Sequence, residues 1–207
     1  MRVRLFLAAP TLLFLLGCQP QVGPAEPFAA WEEGMVLIYE DPSLEGAARF
    51  NSRVFKQVVR FSREDGGGRV VSTYSTFQGV QPARLLIRKG GVFFLDGQDR
   101  EIQMLPEGFP DRVAAWEGTG YRFRIIGRSV WVHPEVRLLS TQSREGIWVE
   151  GEPLRNQGRA VRIFYLPGIG EAERLERQEV GGSWAPVNQL VSQGFQEVPR
   201  SAPGAVR

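Results

Sequence analysis

The chain has 207 residues with 25 basic and 23 acidic side chains, a formal net charge of +2 and 43% hydrophobic residues. No block or stripe of Lys and Arg stands out, so the sequence pI near 9.0 is no footprint for nucleic acid, and nucleic acid is not expected as a partner. One histidine, His133, and one cysteine, Cys18, exclude multi-histidine metal sites and internal disulfides.

Met1 to Arg4 carries two arginines, and an uncharged run of 12 residues follows from Leu5 to Leu16, ending at Gly17 and Cys18. A basic start, a short apolar run and a small residue before a cut are the layout of a secretion signal. A helix needs about 20 apolar residues to cross a bilayer, and Pro10 breaks this run further, so a permanent span is disfavoured. Leu15, Leu16, Gly17 and Cys18 resemble the lipobox of bacterial lipoproteins, in which the cysteine is acylated and becomes the first residue after cleavage. Two other readings stand beside it: a secreted protein cut by the general signal peptidase, whose A-x-A type site is not obvious here, and chance placement of the only cysteine.

The resemblance implies that residues 1–17 are a removable signal peptide and that acylated Cys18 attaches the chain to a membrane of the cell envelope. Two or more acyl chains suffice for stable anchoring. Gln19, where an Asp commonly retains lipoproteins in the inner membrane, implies the outer membrane facing the periplasm in a Gram-negative-like envelope. Loss of Arg2 and Arg4 with the signal would leave a mature chain of zero net charge. Lys56 and Lys89 are the only lysines, a bias that suits a GC-rich genome or a hot organism.

Residues 18–30, with Pro20, Pro24 and Pro27, are expected to form a flexible tether, and 199–207 a disordered tail. Residues 31–198 have no composition break and the length of a single domain. The first strand candidate is Met35–Glu40. In 53–61 the residues Phe55, Val59 and Phe61 alternate with Lys56 and Arg60, as in a half-buried strand. Gly66, Gly67 and Gly68 then turn the chain into a second alternating run, Val70–Gln78, which is a hairpin signature. Further strands are expected at Arg84–Arg88, Gly91–Leu95, Glu101–Leu105, Tyr121–Ile126, Ser129–His133, Gly146–Glu150, Ala160–Leu166 and Glu173–Glu179. Helical periodicity is confined to Asp111–Trp116, led by Pro110, and to Val187–Gln193. Together these predict a mainly β fold: a single antiparallel sheet curled into a roll or open barrel, with one or two short helices.

No catalytic, cofactor or metal motif emerges. The glycines at 66–68 lack the G-K-[ST] of a phosphate loop. Gly168 and Gly170 follow a strand as in a dinucleotide fingerprint, but Glu173 occupies the third glycine position and would repel pyrophosphate. Gly181 to Ala185 ends in the wrong residue for a nucleophile elbow. His133, in a strand running into Pro134, reads as structural. Paired carboxylates would suffice for glycoside hydrolysis, and Asp96, Asp99 and Glu101, or Glu32 and Glu33, are the candidates; turn chemistry and a solvated strand explain them equally well.

The segment Val161 to Gly170 resembles the Y-x-P-G-[VI]-G stretch near the C-terminus of a broad group of bacterial envelope lipoproteins of unassigned function. Leu105, Pro106 and Trp116 are comparable to a leucine-proline step and a tryptophan that recur there. This chain departs from the group in Glu171, where a valine is common, and in lacking a cysteine before that strand. The resemblance implies an antiparallel β-rich envelope domain and adds no catalytic residue.

Three function classes stay open. The first is a non-catalytic binding or carrier module whose sheet holds an apolar or lipid-like ligand against Phe55, Phe61, Phe77, Phe123 and Ile163. The second is a structural or assembly subunit with an envelope protein partner and an exposed apolar patch. The third is a hydrolase. No cofactor is expected.

Overall fold

The computed structural model describes residues 26–29, 31–63, 69–75, 81–131, 145–155, 158–178 and 181–195, with the backbone alone for 26–27, 55–63, 69–75 and 81–82. The described residues form twelve strands: β1 (Met35–Glu40), β2 (Val54–Arg63), β3 (Arg69–Ser75), β4 (Gln81–Arg88), β5 (Gly91–Leu95), β6 (Glu101–Pro106), β7 (Ala115–Gly118), β8 (Tyr121–Val130), β9 (Glu145–Pro153), β10 (Ala160–Leu166), β11 (Gly170–Arg177) and β12 (Ala185–Phe195). They make one antiparallel sheet in the order β6-β5-β4-β3-β2-β1-β12-β11-β10-β9-β8-β7. Two six-stranded meanders are thus joined along β1 and β12, and each remaining neighbour in the sheet is also a neighbour in the chain.

The two edges, β6 and β7, are consecutive in the chain and meet again. Trp116 Nε1 donates to the Met104 carbonyl at 3.0 Å, and the Cα of Gly118 lies so close to Gln103 that a Cβ there would stand 1.9 Å from its carbonyl oxygen. No ladder pairs them. The sheet therefore curls into an open barrel with a β6/β7 seam, as the strand pattern predicted.

Period-two alternation turns one set of side chains inward. Met35, Leu37 and Tyr39 of β1, Ile147 and Val149 of β9, and Val161, Ile163 and Tyr165 of β10 are all buried in one cluster. One end of the interior is filled by aromatic rings. Phe109 contacts Phe28, Trp116 and Tyr165 edge-on at 5.0, 5.5 and 5.8 Å, and Trp116 stacks on Phe123 at 5.2 Å. Phe28 and Ala29 are buried, so the folded body begins inside the segment expected to be tether; the 3-10 turn Glu26–Ala29 carries them.

The outer face of β8 to β10 carries a buried ion cluster next to the Trp148–Phe164 pair, and the register explains how. Arg124, Glu150 and Arg162 stand directly opposite one another on β8, β9 and β10, so two guanidinium groups flank a carboxylate that is only 3% exposed. Burial raises the Glu150 pKa, but hydrogen bonds from Arg124 and Arg162 and their charges outweigh it, and the net direction is downward. A carboxylate depressed in the folded state contributes stability that is complete above its ordinary value of 4.5 and is lost as pH falls through the folded value. Glu150→Gln is expected to cost about 1–2 kcal/mol at neutral pH, since both arginines keep access to water. It should also flatten the fall in melting temperature on the acid side, which thermal unfolding from about pH 3 to pH 7 measures. An acid limb as steep as wild type's would assign the pH dependence to other carboxylates.

Both helix predictions are corrected. Residues 107–112 form turns rather than a helix, and Ala115 and Trp116 belong to β7, because Trp116 pairs with Phe123 and its ring is needed in the core. A run of six residues is too short to form a helix against such a demand. Val187–Gln193 lies inside β12, where Leu175 and Arg174 oppose Pro186 and Asn188, and Ile38 and Tyr39 oppose Ser192 and Leu190. The extra residues are Val187 and Val191, two β-bulges four residues apart that imitate helical spacing. The one α-helix among the described residues is Gly46–Asn51. Similarly, Tyr121–Ile126 and Ser129–His133 are not two strands: Tyr121 to Val130 is a single strand with a bulge at Ile126.

Candidate functional site

A cavity of about 230 Å³ lies inside the curled sheet, lined by Met104, Thr119, Tyr121, Phe123, Val161, Ile163, Tyr165, Glu171 and Arg174. Met104 comes from β6 and Thr119 from the β7–β8 turn, so the cavity lies under the seam. Phe123, Val161, Ile163 and Met104 supply an apolar wall. Gly151 of β9 makes room for that wall: a Cβ there would stand 2.6 Å from the Phe123 ring and 2.9 Å from a Val161 methyl.

The neighbouring wall, on β11, is polar, and a β-bulge builds it. Phe164 opposes Glu173 while Tyr165 opposes Glu171, leaving Ala172 as the extra residue. In a regular strand positions 171 and 174 point to opposite faces; the bulge shifts the phase so that both line the cavity. There Arg174 donates through Nε and Nη2 to the two Glu171 carboxylate oxygens at 2.9 and 3.0 Å. The Glu171 charge holds Arg174 well above its ordinary pKa. Tyr39, buried on β1, donates its hydroxyl to the Glu171 backbone carbonyl at 2.8 Å and fixes that residue.

Tyr165 is 6% exposed. Burial, and after it the neighbouring Glu171 charge, push the pKa of its hydroxyl up, with Arg174 acting the other way, and Tyr165 stands opposite Glu171 in the ladder. Its ring rests on Phe109.

The Y-x-P-G-[VI]-G segment is a structural corner. Gly168 and Gly170 have φ of 78° and 83°, a region that disfavours any other residue. Trp31 Nε1 donates to the Ile169 carbonyl at 2.8 Å, and a Cβ on Gly170 would stand 3.0 Å from the Trp31 ring. The corner therefore docks the N-terminal segment across the barrel end. Thr119, at φ 48° ahead of Gly120 at φ 83°, closes the β7–β8 hairpin against the cavity in a conformation uncommon for a β-branched residue.

Of the predicted site residues, Phe123 and Ile163 line the cavity together. Phe55 and Phe61 lie in β2 with their side chains outside the described residues, as are Phe77, His133, Cys18 and the Leu15, Leu16 and Gly17 before it. Sequence reasoning missed Glu171 and Arg174, because only the bulge at Ala172 puts them together. Glu171 had surfaced only as a departure from the envelope-lipoprotein segment.

Of the carboxylates weighed for hydrolysis, Glu32 and Glu33 are exposed ahead of β1, and Asp96, Asp99 and Glu101 lie on the β5–β6 hairpin. Asp96 accepts from the Gln98 and Arg100 backbone N–H groups at 2.8 and 3.0 Å, holding its own turn. Asp99 pairs with Arg84 at 2.5 Å and Glu101 pairs with Arg88. Among the described residues no cluster of three or more His, Cys, Asp or Glu is placed to hold a metal ion.

No family model matches the chain, and no curated protein matches its sequence. Among solved structures, one described as a lipoprotein from Parabacteroides distasonis is similar with a TM-score of 0.44 at 10% identity, over 79% of this chain and 96% of the other. An exported protein with a YmcC-like fold from Bacteroides fragilis gives 0.43 at 8% identity, over 79% and 96%. MucB in complex with MucA(peri) gives 0.37 at 14% identity, over 88% of this chain and 56% of that one.

Proposed function

We propose that this chain is a lipid-anchored cell-envelope protein, held through acylated Cys18, and that its curled sheet is a non-catalytic module for an apolar ligand. The observation that supports it is the cavity: a void inside the sheet with an apolar wall of Phe123, Val161 and Ile163 is what such a module requires and what a filled structural core lacks. The basic start and the short apolar run from Leu5 to Leu16 ahead of Cys18 support the address.

Native mass spectrometry of the membrane-extracted protein tests both parts. The expected N-terminal peptide carries acyl mass on Cys18, and an N-terminus without it overturns the anchor. The Cys18→Ser chain is expected to retain a non-covalent apolar ligand, and Val161→Phe, which fills the cavity from a buried position, to lose it by at least tenfold. Equal retention by Val161→Phe would put the ligand elsewhere.

A second reading, an assembly subunit, has one observation in its favour. β7 pairs only with Tyr121–Arg124 of β8, and beyond that stretch Ile126 and Val130 are 41% and 61% exposed. A Cys18→Ser chain empty of ligand but bound to one envelope protein would select it.

A further inference from the structure

The polar wall of the cavity is chemically more specific than the apolar one. Arg174 spends Nε and one Nη2 proton on Glu171, and its Nη1 donates to no described residue. Tyr165, a residue only 6% exposed that lines the cavity together with Arg174 and stands opposite Glu171 in the ladder, also makes no hydrogen bond through its hydroxyl to a described residue. Two donor groups therefore face the void, and the charge beside them is already matched by Glu171.

Each class of occupant meets this arrangement differently. A pure hydrocarbon would strip water from the Tyr165 hydroxyl and return nothing, leaving a buried donor unsatisfied. A carboxylate would satisfy the donors but bring a second negative charge beside Glu171. A neutral carbonyl accepts from both donors and adds no charge. The cavity, at about 230 Å³, is smaller than the ~300–1,000 Å³ of sites that enclose a whole drug-sized ligand. It fits a carbonyl and a short length of chain, the rest leaving past Thr119.

We infer that the cavity takes a neutral acyl ester or amide, with its carbonyl on Tyr165 and Arg174 and its adjoining methylenes on Phe123, Val161 and Ile163. This rests on the cavity being a ligand site. Glu171 then acts as a specificity residue: it keeps Arg174 from selecting anions.

The test uses the Cys18→Ser chain and displacement of the fluorescent probe N-phenyl-1-naphthylamine by methyl decanoate, decanoate and decane. Methyl decanoate is expected to bind about tenfold tighter than either of the others, the worth of one well-made buried hydrogen bond. Tyr165→Phe, which keeps the ring on Phe109, should bring the ester down to decane. Glu171→Gln leaves the Arg174 charge unmatched and should reverse the order, decanoate becoming the tightest. Decanoate or decane binding as tightly as the ester to the Cys18→Ser chain, a comparison that needs no cavity variant, overturns the inference and leaves the ligand site standing. Failure of all three to displace the probe overturns the ligand site and the inference with it.

Discussion

Phe109→Ala is expected to lower stability by about 3–5 kcal/mol, the cost of removing a fully buried phenylalanine ring. For a chain of this size that is a fall of roughly 6–20 °C in melting temperature. Phe109 has 0% exposure and sits in the turn after β6. Its ring touches Phe28 from the N-terminal segment, Trp116 from β7 and Tyr165 from β10. It thus joins three parts of the chain that share no backbone hydrogen-bond ladder with it. Phe109→Leu, which keeps most of the volume, should cost about 1–2 kcal/mol. Thermal and urea unfolding followed by circular dichroism measure both. A Phe109→Ala loss under about 1 kcal/mol would mean that the aromatic cluster does not close the barrel end.

The sheet was legible in the sequence because most of its strands obey a simple rule. Met35–Glu40, Gly91–Leu95 and Ala160–Leu166 match the expected spans residue for residue, since each has β-branched or aromatic residues bounded by Gly, Pro or Asp. What stayed hidden lies where that rule is broken. Val187 and Val191 are bulges, and a bulge adds a residue without changing composition, so no periodic pattern reports it. The same holds at Ala172, and this cost the site: counted as a regular strand, Glu171 and Arg174 fall on opposite faces. Phe28 was hidden for another reason. Its neighbours Pro24 and Pro27 read as linker, and only the packing of Trp31 on the Ile169–Gly170 corner shows why the chain stays down there.

Gly118→Ala is expected to cost about 3 kcal/mol, the upper end for overpacking. The added methyl would stand 1.9 Å from the Gln103 carbonyl oxygen and 2.9 Å from its carbon. Both are backbone atoms, which cannot rotate aside as the end of a side chain can. The strain has one soft outlet, because β6 and β7 share no ladder and meet through the Trp116–Met104 hydrogen bond and this contact. The seam should part. Since Met104 lines the cavity, parting it opens a lateral route to the ligand site. Gly118→Ala is therefore expected to show two effects together: a melting temperature lower by about 6–12 °C and faster entry of N-phenyl-1-naphthylamine in stopped-flow fluorescence. Gly97→Ala, at a turn with open space around the position, should show neither. A destabilised Gly118→Ala with unchanged entry rate would mean that ligand enters past Thr119 and not through the seam. An undisturbed Gly118→Ala would mean that the two edge strands stand apart in solution, leaving the barrel open along its length.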